Sequence, residues 1–188
     1  MAGGRALATV GNDVDSMYPT WNTPWTCADA TVQIAYCRTD NATLTFGAEG
    51  SLTSAQKTVI RNMINGQFGP TDFVVSEQSP IVYTGTAETD VVYQAIDLGS
   101  SLYGMTYCDD AVSTGVCDQH YVLITPTRIT SSASTPCHET GHAVGLTHGE
   151  NAYPAVANDD PDLACLMTPG TNVTSIGGHN TYEINITY

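Results

Sequence analysis

Cys137-His138-Glu139-Thr140-Gly141-His142-Ala143-Val144-Gly145-Leu146-Thr147-His148 decides how this chain is read. The run contains H-E-x-x-H-x-x-G-x-x-H with every fixed position filled. His138 and His142 stand four residues apart, so a helix stacks them on one face. Two imidazoles so placed can bind one Zn²⁺ at about 2.0–2.1 Å. Glu139 lies beside that face, able to polarise a water without ligating the ion. Gly145 can take the positive φ that ends a helix and turns the chain. The turn brings His148 back as a third ligand, which a continuing helix would carry away. Three protein ligands leave the fourth tetrahedral position open, as in a catalytic zinc site.

The run resembles the zinc signature of the metzincin metalloendopeptidases. Cys165-Leu166-Met167-Thr168-Pro169 is similar to the methionine turn that this family places beneath the zinc, with Met167 as its methionine. Some branches carry a tyrosine ligand two residues after that methionine. Pro169 stands there, so the resemblance implies His138, His142, His148 and water. Small size and the stretch from Tyr121 to Ile129 look most like the small bacterial snapalysin-type enzymes. Those carry Asp as third ligand where this chain has His148, and Gly149 matches no usual branch-marking residue.

The resemblance implies an α+β fold: a twisted, mostly parallel five-stranded sheet, an active-site helix and a small C-terminal subdomain. It implies one catalytic domain over 1–188, with an upper part of about 1–148 and a lower part of about 149–188. The implied activity is that of a secreted zinc endopeptidase with Glu139 as general base. Gly104-Met105-Thr106-Tyr107 would be the sheet edge that binds an extended substrate, and the specificity pocket would fall within 166–180. The alternative is a catalytically idle zinc module that captures peptides or proteins. An idle copy would tolerate loss of Glu139, which is present.

The rest of the chain bounds these expectations. Its 188 residues, 41% hydrophobic, suffice for one domain with a real core. No run of about 18 apolar residues occurs, so no membrane span is expected. Met1-Ala2-Gly3-Gly4-Arg5 lacks the apolar segment of a signal peptide and reads as a trimmed terminus. A net charge of −14, with Lys57 the sole lysine, argues against nucleic-acid binding. The expected partner is a protein or peptide substrate, and the expected state is a monomer.

Six cysteines allow fifteen pairings. Sequence proximity favours Cys27–Cys37, Cys108–Cys117 and Cys137–Cys165, the third tying the zinc helix to the methionine turn. Disulfides imply an oxidising, extracytoplasmic location. Cys137 is one residue before His138, about 100° around a helix, and so cannot share that ligand direction. Asp109-Asp110, and Asp159-Asp160 with Asp162, offer oxygen ligands for Ca²⁺. Without EF-hand spacing they read better as solvated loops.

Periodicity outlines the elements. Residues 1–25 read as a loop lying across the surface. Strands are expected at 31–36, 73–75, 90–96, 104–107 and 121–124. Residues 52–66 read as an amphipathic helix capped by Thr53 or Ser54. Its apolar stripe is Val59, Ile60, Met63 and Ile64, and Gly66 is its stop. The histidine helix should run from about Ser134 to Val144, and a closing helix from about Gly178 to Tyr188. His120 and His179 read as surface or capping residues. Asn41, Asn172 and Asn185 lie in N-glycosylation triplets.

Overall fold

The computed structural model describes residues 13–23, 27, 37–129, 133–168 and 172–188. Its sheet contains β1 (Arg38–Thr39), β2 (Thr43–Ala48), β3 (Val74–Glu77), β4 (Val91–Ala95), β5 (Gly104–Ser113) and β6 (Val116–Ile124). β6 organises it. Along one edge β6 pairs antiparallel with β5, and along the other it pairs parallel with β1 at its start and β4 at its end. β2 then joins β4 to β3, again in parallel. The mostly parallel α+β architecture is therefore present, with six strands among the described residues where five were expected in all.

The differences have local causes. The strand expected at 31–36 lies outside the described residues, among which β1 and β2 come first in chain order. β2 escaped the sequence reading because the alternation Thr43, Leu44, Thr45, Phe46 lasts only four residues before Gly47. Leu44 and Phe46 are nonetheless fully buried. β5 runs six residues beyond its expected end, carried by bulged pairing with β6 and by the Cys108–Cys117 disulfide across the two strands.

α1 spans Ser54–Gln67. Thr53 caps it: its hydroxyl accepts from the Gln56 amide, while the Gln56 side chain accepts from the Thr53 amide, a reciprocal capping box. Ile60, Met63 and Ile64 form its buried stripe. Gly66 does not stop this helix. The chain continues to Phe68, whose amide donates to Ile64 O and whose buried ring holds the last turn against the core.

α2 (Ser134–Ala143) is mostly buried and packs on α1, β5 and β6. One fastening is polar. Thr140 Oγ1 donates to Pro136 O, so it accepts the Tyr93 hydroxyl at 2.6 Å. Burial pushes the Tyr93 phenol up, which keeps its proton in this bond. α3 (Gly177–Thr187) closes the chain against a 3₁₀ segment, Pro161–Leu166. Asn180 Nδ2 donates to Leu163 O and Ile176 O, and Tyr188 donates to Val144 O at the end of α2.

The described part of the first 25 residues does not lie across the surface. Ser16, Met17 and Tyr18 are buried, and the segment pairs antiparallel with the chain that follows α2. Tyr18 N donates to Gly145 O and Thr147 N to Ser16 O, both at 2.8 Å. Trp21 is exposed, and Trp25 lies outside the described residues. Among the described residues no helix is long and apolar enough to cross a membrane.

Candidate metal centre

Three backbone devices bring the histidines together. His138 and His142 share one face of α2. The helix then ends in a Schellman motif: Gly145 N donates to His142 O, and Leu146 N to Gly141 O. Gly145 has φ +96°, and a Cβ there would stand 2.7 Å from Arg38 Cγ and 2.9 Å from Met17 Sδ. Only glycine meets both demands. Finally, residues 145–147 are clamped by residues 16–18, which fixes where His148 emerges.

The Nε2 atoms of His138, His142 and His148 lie 3.0, 3.1 and 3.1 Å apart. Two ring orientations are set from behind. His138 Nδ1 bonds Cys165 O, and His142 Nδ1 bonds Leu146 O, each at 2.8 Å. A carbonyl only accepts, so both Nδ1 atoms carry the proton. In the neutral rings Nε2 then presents a bare lone pair. Burial, then the charges of His138 and His148, hold His142 well below the ordinary range. Burial first, then His138, pushes His148 down to about 3. Burial also lowers His138, against the pull of the Cys165 carbonyl.

Converging lone pairs repel unless a cation lies among them. Tetrahedral Zn²⁺ with bonds of about 2.0–2.1 Å separates its ligand nitrogens by about 3.3–3.4 Å. The observed spacing is within a few tenths of that, so the trio fits the ion. The Cys137–Cys165 disulfide braces the arrangement, with Cα atoms 6.0 Å apart. It joins the residue preceding His138 to the residue whose carbonyl orients His138. Cys27–Cys37 and Cys108–Cys117 are the other two bridges, so no cysteine is left to ligate.

Glu139 is buried, and burial pushes its carboxyl up to about 7, opposed by the Thr106 hydroxyl. Thr106 Oγ1 lies 2.9 Å from Glu139 Oε2 and 2.8 Å from Glu139 O. Gly104, two residues earlier on β5, passes against the same carboxylate. Met105 and Tyr107 alternate to the other face, where Tyr107 stacks on Tyr121 with centroids 5.4 Å apart. Among the described residues Gly104–Tyr107 of β5 pair with no strand other than β6. Met167 is half-buried and packs against the core after the chain kinks at Ala164 (φ 50°, ψ −118°). Pro169 lies outside the described residues.

Two histidine readings are corrected. His120 is fully buried in β6 rather than at the surface, because its strand is covered on both faces. Burial, the largest cause, pushes it down to about 4, and so it is neutral. His179 sits half-buried inside α3, with Nε2 3.0 Å from Ser16 Oγ. Sequence reasoning also missed the Ser16–Tyr18 clamp, the Tyr93–Thr140 bond and the two orienting carbonyls. All but Leu146 O, four residues from His142, are long-range partners, and backbone carbonyls carry no residue-type signal.

No protein-family model matches the sequence, and no curated protein is similar to it. Among solved structures, the chain is similar to high choriolytic enzyme 1, a hatching enzyme zinc-protease from the medaka fish Oryzias latipes. The two are 11% identical with a TM-score of 0.38, over 66% of this chain. The match spans about half, 55%, of that structure's length. No residue role is carried over from it.

Proposed function

We propose that this protein is a secreted, zinc-dependent endopeptidase of the metzincin type, acting as a single catalytic domain and a monomer. One observation carries the reading: three imidazole nitrogens, from one buried and two half-buried histidines, converge within 3.1 Å, with a carboxylate on the residue beside the first of them. His138, His142 and His148 would hold the ion. When bound, Zn²⁺ supplies Lewis acidity, acidifying water and drawing charge from a peptide carbonyl.

The remaining work falls to the chain. Glu139 takes a proton from the attacking water at a carboxylate oxygen, then delivers it to the amine nitrogen as the C–N bond breaks. The edge of β5 at Gly104–Tyr107, with no strand partner but β6 among the described residues, supports extended peptides as substrates, since an added strand can pair with its amides and carbonyls. Three disulfides support a location outside the reducing cytoplasm.

The test is incubation of the zinc-loaded protein with a mixed peptide library, with and without chelator, beside Glu139→Ala. Cleavage should vanish with chelator and fall by about 10²–10⁴-fold in the variant. Equal proteolysis by the two proteins would contradict the mechanism.

A further inference from the structure

We infer that Thr106 is the positioning residue for Glu139, locking its carboxylate in one rotamer against β5. The role in turnover rests on the peptidase reading; the contact does not. Thr106 has one hydroxyl proton, and two oxygens of Glu139 share it: the backbone carbonyl at 2.8 Å and Oε2 at 2.9 Å. Its hydroxyl therefore closes a loop from the carboxylate back to the same residue's backbone. A glutamate side chain has three rotatable bonds, and this link removes their freedom. Oε2 faces the Thr106 hydroxyl, and Oε1 lies on the side of Gly104.

Gly104 completes the device. A Cβ at this position would stand 2.5 Å from Glu139 Cγ, 2.6 Å from Oε1 and 2.8 Å from Cδ. Any side chain would therefore displace the carboxylate from the place Thr106 gives it. The two residues lie on the same face of β5, with Met105 directed to the other. The segment expected to receive substrate thus has a second task, which is to seat the base. Threonine and glycine at alternate positions are what that task requires. The buried polar pair also needs each member: removing the hydroxyl would leave a buried carboxylate oxygen without its donor.

The test compares Thr106→Val, which keeps the shape and removes the donor, with Thr106→Ser, which restores the donor. In zinc-loaded protein, Thr106→Val should lower kcat by about 10–100-fold with KM changed less than about threefold. Thr106→Ser should recover most of that loss. A readout independent of turnover is the ¹³C carboxyl resonance of Glu139 in glutamate-labelled protein, assigned with Glu139→Gln. It should move in Thr106→Val and Gly104→Ala and hold in Thr106→Ser. A Thr106→Val enzyme with unchanged kcat, or a Glu139 signal that does not move, overturns the inference. A wild type that binds zinc yet cleaves no peptide overturns the peptidase reading alone. The resonance then still decides whether Thr106 holds the carboxylate.

Discussion

Among the described residues, two regions gather side chains of metal-binding type, and they do so differently. One is the trio His138, His142 and His148. The other is acidic: Asp40, Asp90 and Asp118, joined through Asp118 to Glu88 and Asp110. Within the trio, and within each of the two acidic triplets that share Asp118, the possible ligand atoms lie within 4.8 Å of one another. The histidines are neutral, and carbonyls behind two of the rings aim lone pairs at a common point. The carboxylates have no such arrangement. Asp90 Oδ2 is already bonded to Thr45, accepting from N at 2.5 Å and from Oγ1 at 2.8 Å. Burial pushes Asp90 up to about 7. Burial, then neighbouring acids, raise Asp118 and Glu88 as well. Burial disfavours the charge of Asp90 in that region, whereas the trio presents neutral rings whose lone pairs could take an ion. Gathering ligands is not enough; each must be oriented by a partner outside the cluster.

The comparison breaks most visibly at the ligands themselves. His142→Ala should reduce bound zinc from one ion per chain to near zero by elemental analysis, while Asp118→Asn leaves it unchanged. Zinc lost on Asp118→Asn would show that the acidic group takes part. Next in size is the brace. Replacing Cys137 and Cys165 together by Ser should cost about 3–4 kcal/mol of stability in denaturant titration, by the loop-entropy model. It should also weaken zinc binding, because the carbonyl that orients His138 loses its anchor.

The acidic region should declare itself in the pH dependence of stability. Asp90 has an ordinary pKa of 3.8 and a folded one of about 7. Between those values the folded state keeps a proton that the unfolded chain has lost. The contribution is full below about pH 4 and disappears as pH rises through 7. His120 acts in the opposite sense, since its folded pKa of about 4 lies below the ordinary 6.5. Comparison with Asp90→Asn cancels that background. Wild type should lose roughly 2 kcal/mol more than the variant between pH 4 and pH 7. Parallel profiles of melting temperature would contradict this. The smallest effect is a control remote from both regions. Thr53→Ala should cost about 1 kcal/mol through the lost α1 cap and leave zinc content unchanged.

Much of this was legible from local chemistry. The span of α2, the turn at Gly145 and the cap at Thr53 follow from residues within a few positions of each other. So does the existence of α3. β2 was missed because four alternating residues are too few to stand out, although packing buries Leu44 and Phe46 completely. Gly66 misled because a buried Phe68 outweighs the weak helix preference of an exposed glycine. Around the histidines, the ligand types were readable and their supports were not. Ser16 meets Thr147 across 131 residues, Thr106 meets Glu139 across 33, and Cys165 meets His138 across 27. Such partners belong to the tertiary fold, and only the fold displays them.

The most direct measurement is X-ray absorption at the zinc edge on protein loaded with one equivalent of the metal. Three imidazole nitrogens and one further light atom, at about 2.0–2.1 Å, are the predicted shell. A shell containing sulfur, or one dominated by carboxylate oxygens and unchanged in His148→Ala, would contradict the assignment of the three histidines.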